Sequence, residues 1–262
     1  MVHRAKDYIR AGDIYQANLS QRFPFSFQGS PLRLYGALRR TNPSPFCSVL
    51  KMGDQFIASS SPELLVAKKG RQLVTRPIAG TRPSGRTGSE TRRLTRELLR
   101  NEKERAEHLM LVDLERNDLG RVSEWRSVRV KDFMRVEKYA RVQHLVSEIT
   151  GCLRPDRDAF DVIRAMFPGG TITGCPKLRS MEIIDELEPV RRGVYTGSLG
   201  YIGFDGDLEL NIVIRTLVLK GTQGTLQVGA GIVADSDPGR EYEETLAKGE
   251  ALCEALIEAS AL

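Results

Sequence analysis

From Ile14 to Phe23 the chain alternates between a mainly polar and a mainly apolar face. Ile14, Gln16, Asn18, Ser20 and Arg22 fall on one face, and Tyr15, Ala17, Leu19, Gln21 and Phe23 on the other. This predicts a long strand with an unusually polar face, ended by Pro24. Such a face meets either solvent or the floor of a site. Before it, residues 3–11 read as a helix closed by Gly12, and after it Leu32 to Arg40 reads as a helix closed by the Asn-Pro-Ser-Pro turn at 42–45. Short strands are expected at Cys47–Lys51, Gln55–Ser60, Leu64–Lys68 and Gln72–Arg76, then a Gly/Pro/Thr/Arg-rich loop from Pro77 to Ser89. Thr91 to Asp118 is helical in two pieces, and Val122–Val130 and Ala140–Leu153 contain further strands. Helices at Asp158–Met166 and Pro176–Leu187 precede three strands at Val194–Phe204, Leu208–Leu219 and Thr225–Val233, and a last helix begins near Arg240. Strands come in runs with helices between the runs, an α+β pattern of mainly antiparallel sheets. No linker divides the chain, so one domain over residues 1–262 is expected.

Composition narrows the class. The 262 residues are 40 % hydrophobic and 28 % charged, enough for a sizeable core. No apolar run approaches the roughly 18 residues of a membrane helix, so no membrane partner is expected. No apolar stretch follows the first positive charges, so no secretory signal is visible. Cysteines 47, 152, 175 and 253 form neither a C-x-x-C pair nor a Cys/His cluster, which points to reduced thiols and a cytoplasmic protein. The net charge of +5 is concentrated: Arg71 to Arg105 alone carries +6. That segment either faces an anionic partner or is a solvated surface laced with Glu–Arg pairs. It has no interleaved aromatics and no RNA motif, so nucleic acid is not the expected partner.

Candidate chemistry lies elsewhere. Glu241, Glu244 and Lys248 share one helix face, where paired carboxylates suit a hard cation or an exposed ion-pair network. Glu107 sits in an otherwise apolar helical stretch and needs a metal or an Arg partner. The run Thr171-Ile-Thr-Gly-Cys-Pro-Lys177 leads into a helix start that suits an anion. Gly229-Ala230-Gly231 ends a strand, either as a bend or where a ligand approaches the backbone. Tyr195 and Arg215 lie on successive expected strands and can converge on a carboxylate. His144, within an apolar stretch, reads as a core residue on its own.

Together these stretches resemble the catalytic domain of the chorismate-utilising enzymes: anthranilate synthase component I, aminodeoxychorismate synthase component I, isochorismate synthase and salicylate synthase. The matching residues are Gly12–Phe23, Ser61-Pro-Glu63, Arg76–Arg82, Glu107–Asp118, His144–Ser147, Thr171–Lys177 with Met181–Glu188, Gly229–Asp237 and Glu241–Lys248. They span nearly the whole chain in the family's order. The resemblance implies two large packed β-sheets flanked by helices, an α/β/β/α layering. It implies Mg²⁺ held by Glu107 and Glu244 with Glu241 close by, binding the ring carboxylate of chorismate. It further implies that Tyr195, Arg215 and the Gly229, Ala230 and Gly231 amides bind the enolpyruvyl carboxylate. Thr81, Thr171 and Lys248 then line the site, Glu63 protonates the departing 4-hydroxyl, and His144 is the active-site histidine.

Within the family, the water-activating enzymes carry Lys where this chain has Gln16, and a neutral amide is a poor general base. An ammonia-using member is therefore expected, partnered by a glutamine amidotransferase subunit. Tyr15-Gln-Ala-Asn18 and Thr171-Ile-Thr-Gly-Cys-Pro176 resemble aminodeoxychorismate synthase, which makes 4-amino-4-deoxychorismate for the 4-aminobenzoate and folate pathway. Ala79 stands where many such enzymes place a nucleophilic Lys, which keeps anthranilate as the alternative product. The longer family chains carry an N-terminal segment before Gly12-Asp13 that this sequence largely lacks, which puts feedback inhibition in question. A truncated paralogue that binds chorismate or a partner without turnover is the reading from another class. The intact set Glu63, Glu107, His144, Arg215 and Glu244 weighs against it.

Overall fold

A computed structural model describes residues 1–85, 87–138 and 142–261. By its internal contacts the chain divides into two compact units. The first comprises residues 1–62, 172–197 and 213–262, and the second residues 63–171 and 198–212. Each is built on one antiparallel sheet flanked by helices, the α+β class expected.

The first unit holds α1 (Val2–Ala11), β1 (Gln16–Ser26), α2 (Pro31–Thr41), β2 (Phe46–Met52) and β3 (Gln55–Ser61). Later in the chain it adds β9 (Gly174–Cys175), α6 (Lys177–Leu187), β12 (Thr216–Lys220), β13 (Gln223–Ile232) and α7 (Pro238–Ser260). Its sheet runs β2-β3-β12-β13-β1-β9. Gly12 closes α1 in a left-handed conformation, with φ 83°, its N–H donating to Ile9 and Tyr8 carbonyls. The Asp237 side chain caps α7 by accepting from the Arg240 N–H. Leu34 and Leu38 of α2, Leu217 of β12 and Leu252 of α7 meet in one cluster and are fully buried. Each contributes about 1.5–3 kcal/mol.

The second unit holds β4 (Leu64–Lys69), β5 (Gln72–Arg76), β6 (Ile78–Pro83), α3 (Gly88–Arg100) and α4 (Glu102–Gly120). β7 (Arg129–Lys138), β8 (Val142–Cys152), α5 (Ala159–Met166), β10 (Ser198–Ile202) and β11 (Leu208–Ile212) complete it. Its sheet runs β10-β11-β4-β5-β8-β6, with β7 paired to β8. An Asp158–Asp161 capping box starts α5. Leu73, Leu145, Ile149 and Met166 are among its fully buried side chains.

Four expectations change. First, β1 does not stop at Pro24 but pairs with β13 as far as Ser26. The N–H groups of Asn18 and Ser20 bond away from β13, to the Thr173 carbonyl and the Glu188 carboxylate. Even-numbered residues, Pro24 included, thus turn their nitrogen away from the ladder, and proline's missing N–H costs no sheet bond. Second, the Pro77–Ser89 stretch contains β6. β5 and β6 run in line along the same strand, β8, with the Pro77 carbonyl accepting from Ser147 N–H at the junction. Gly80, at φ 72°, absorbs the bulge between Ala79 and Thr81. Third, Leu208–Leu219 is two strands in different sheets, separated by Val213, Ile214 and Arg215. Fourth, the strand expected at Val122–Val130 begins only at Arg129, after a Ser123–Leu153 bridge, and the one expected from Val194 begins at Ser198. Of the region expected as Ala140–Leu153, residues 140 and 141 lie outside the described residues.

The basic segment is laced with acidic partners. Arg71 pairs with Glu124, Arg76 with Glu137, Arg93 with Glu97 at 3.6 Å, and Arg82 with Glu97 at 3.2 Å and Glu104 at 2.5 Å. Among the described residues no helix is long and apolar enough to cross a membrane.

Candidate active site

In the first unit, the polar face of β1 is buried: Gln16, Asn18 and Ser20 are 2, 8 and 3 % exposed. Of the two settings open to such a face, solvent is therefore excluded. β1 lies against β13 with Asn18 opposite Gly231, Leu19 opposite Ala230 and Ser20 opposite Gly229. A Cβ on Gly229 would stand 2.7 Å from the Tyr195 hydroxyl, 2.7 Å from Asn18 Oδ1 and 2.8 Å from the Leu19 carbonyl oxygen. Only glycine fits there, and its absence of side chain lets the phenol reach the strand.

Tyr195 is held from several sides. Burial pushes its hydroxyl up to about 12, against the opposing pull of the Arg192 and Arg215 cations. The hydroxyl therefore stays a proton donor at neutral pH. Arg192 lies over the ring, 5.5 Å from its centroid. Arg215 takes a left-handed φ of 52°, and its carbonyl accepts from the Ser60 N–H. Lys248 donates to the Gly229 carbonyl at 3.0 Å and pairs with Glu244 at 2.6 Å. The structure thus brings together Tyr195, Arg215, Gly229, Lys248 and Glu244. Glu241, one helical turn before Glu244, is buried. Gln16 sits where β1 meets β9, its carbonyl accepting from the Ser180 hydroxyl.

In the second unit, Thr81 of β6 lies opposite His144 of β8, and the Thr81 hydroxyl is 2.9 Å from His144 Nδ1. His144 is 5 % exposed. Glu63 immediately precedes β4, is equally buried, and accepts from the Ile78 N–H at 3.4 Å. Glu107 is half-buried on α4. Thr171 lies in a short 3-10 turn at residues 170–172.

Among the described residues, no group of three or more His, Cys, Asp or Glu side chains is placed to hold a metal ion by itself. Mg²⁺ needs fewer protein ligands: one or two carboxylates, completed by water and substrate oxygens. Glu107 on α4 and Glu244 on α7 each carry one carboxylate, a donor type that Mg²⁺ takes.

Several buried polar groups escaped the sequence reading. Glu188 and Arg192, four residues apart past the end of α6, look like a solvated surface pair. Instead their side chains are 3 and 14 % exposed and paired at 2.7 Å. The only signal was Ser20, a hydroxyl on a strand face that needs a partner. His108 is fully buried, its Nε2 2.7 Å from the Ser147 hydroxyl, and burial pushes its imidazole down to about 4. Glu115, also buried, accepts from the Thr75 hydroxyl at 3.2 Å and the Gly170 N–H at 3.1 Å.

The family model for chorismate binding enzymes matches residues 1–254. The chain is 56 % identical over 255 residues to the aminodeoxychorismate synthase component 1 of Bacillus subtilis, covering 97 % of this chain and 54 % of that protein. It is 55 % identical over 258 residues to an anthranilate synthase component 1 of Haloarcula marismortui, covering 98 % and 53 %. Among solved structures, anthranilate synthase component I of Streptococcus pneumoniae superimposes with a TM-score of 0.89 at 45 % identity, over 96 % of this chain and 56 % of that one. The menaquinone-specific isochorismate synthase of Escherichia coli gives 0.87 at 25 % identity, over 97 % and 59 %. The chain spans about half the length of the curated relatives it matches.

Proposed function

The chain belongs to the chorismate-binding enzyme family, and on that footing we propose that it aminates chorismate to 4-amino-4-deoxychorismate. The observation that carries this choice is the similarity to the Bacillus subtilis aminodeoxychorismate synthase across almost the whole chain. Gln16 supports an ammonia user over a water user, because an amide cannot deprotonate water. Ammonia comes from a glutamine amidotransferase subunit, in keeping with the "component 1" names of the relatives. The cytoplasm suits the four cysteines, all of which are free thiols.

In this reading, the Tyr195 hydroxyl donates to the enolpyruvyl carboxylate, Arg215 supplies the opposing charge, and the Gly229, Ala230 and Gly231 backbone gives close access. Thr81 and Thr171 line the site, and Thr81 fixes the His144 ring through its hydroxyl. Glu63 delivers a proton to the 4-hydroxyl oxygen, so that it leaves as water rather than hydroxide. With Ala79 in place of a nucleophilic side chain, nitrogen comes directly from ammonia: the C–N bond forms as the C–O bond breaks. Glu107 and Glu244, with Glu241 beside them, would hold Mg²⁺, which supplies Lewis-acid charge to the ring carboxylate. Lys248 neutralises Glu244 and secures the Gly229 carbonyl.

Anthranilate formation is the second reading, favoured by Ala79 and by the anthranilate synthase relatives. The test is purified protein with chorismate, Mg²⁺ and ammonium salt, its products separated by chromatography. 4-Aminobenzoate appearing only after the matching lyase is added supports the first reading. Anthranilate and pyruvate without lyase establish the second. Neither product from folded, chorismate-binding protein would leave the non-catalytic paralogue.

A further inference from the structure

We propose that the buried Glu188–Arg192 pair is a positioning device that sets the Tyr195 phenol in its ligand-binding orientation. The inference rests on Tyr195 being a carboxylate anchor, as above. Arg192 touches no expected substrate position, because all five of its N–H donors are spent within the protein. Nε donates to Glu188 at 3.0 and 3.2 Å, and Nη2 to Glu188 at 2.7 Å and to the Asn18 carbonyl at 2.6 Å. Nη1 donates to the Ile172 carbonyl at 2.7 Å and the Thr196 hydroxyl at 3.4 Å. A guanidinium fixed by five bonds cannot swing, and its carbon lies over the Tyr195 ring, 5.5 Å from the centroid.

Glu188 is anchored as firmly. Its Oε1 accepts from the Ser20 N–H at 2.8 Å and the Ser20 hydroxyl at 2.7 Å, and Ser20 in turn accepts from Gln227 Nε2 at 2.8 Å. Ser20 and Gln227 lie on β1 and β13, the strands that carry Asn18 and Gly229. The pair therefore ties the segment after α6 to the two strands that meet the Tyr195 hydroxyl. A buried ion pair is poor evidence of stabilisation, since desolvation offsets much of its attraction. Here its full set of hydrogen bonds fixes one guanidinium, and that guanidinium lies over the Tyr195 ring.

The test uses protein with tyrosines labelled at the ζ carbon, the Tyr195 resonance being assigned by its loss in Y195F. Removing Arg192 alone leaves a buried carboxylate unpaired and risks unfolding. The double variant E188Q/R192Q removes both charges and is the informative one, with folding checked by circular dichroism. The Tyr195 resonance should shift, and the chorismate KM should rise about tenfold while kcat changes less than about twofold. A folded double variant with unmoved Tyr195 resonance and unchanged KM overturns the proposal, as does a shifted resonance with unchanged KM. If wild-type protein shows no saturable chorismate binding at all, the anchor reading fails instead, and the resonance still reports whether the pair holds Tyr195.

Discussion

The Tyr195 hydroxyl lies 2.7 Å from the point that a Cβ on Gly229 would occupy. The same point is 2.8 Å from the Leu19 carbonyl oxygen, which cannot rotate away. Gly229→Ala therefore forces the phenol and the strand backbone to shift. We expect a loss of about 1–3 kcal/mol in urea unfolding, the usual size for overpacking, together with a raised chorismate KM. A variant as stable as wild type, with unchanged KM, would contradict this contact.

Thr81 fixes His144 through one hydroxyl contact, 2.9 Å long, while Thr81 itself is exposed. Thr81→Val keeps the β-branched shape that β6 favours and removes only the oxygen. Thermal stability should hardly change, while kcat/KM drops about tenfold, the order expected for one lost orienting bond. Equal kinetics for the two proteins would show that His144 needs no such partner.

His108 gives the fold a pH dependence. Burial holds it at about 4 against an ordinary 6.5, so it is neutral in the folded chain. Between those values the unfolded chain binds more protons. Its contribution to stability is complete above about pH 6.5, falls as pH drops toward 4, and is constant below that. The whole step is about 3 kcal/mol. In metal-free buffer, urea midpoints should fall less between pH 7 and pH 5 for His108→Gln than for wild type. Parallel curves would place the sensitivity elsewhere.

Glu244 is exposed and its pair with Lys248 is a surface ion pair, worth at most about 1 kcal/mol to stability. Glu244→Gln should therefore leave unfolding curves nearly unchanged. Activity should fall strongly, and the Mg²⁺ concentration needed for half-maximal rate should rise by at least about tenfold, the cost of one lost charged ligand. An unaltered Mg²⁺ titration would remove this residue from the metal assignment.

Helices were legible where local chemistry punctuates them. Gly12 closes α1, Asp158 opens α5 and Asp237 opens α7, each by a bond to a neighbour within a few residues. β6 was not legible, because Pro77, Gly80 and Pro83 read as loop residues, and only its pairing with β8 makes it a strand. The two-strand nature of Leu208–Leu219 was hidden for the opposite reason: apolar residues continue through Val213 and Ile214 with no turn residue to mark the break. Of the site, the Gly229–Gly231 run lies near the end of a strand as expected, whereas Thr81, expected in a loop, lies on β6, and Tyr195 and Arg215, expected on strands, lie before β10 and between β11 and β12. The Glu188–Arg192 pair was not legible, since sequence spacing cannot distinguish a solvated ion pair from one enclosed by Ser20, Asn18 and Ile172.

The left-handed backbone at Arg215 has its own consequence. A side chain other than glycine in that conformation costs roughly 1 kcal/mol, and the three-residue passage from β11 to β12 would be more relaxed with Gly at 215. Arg215→Gly should relax this backbone yet lose the cation beside Tyr195, so stability and chorismate KM need not move together in that variant.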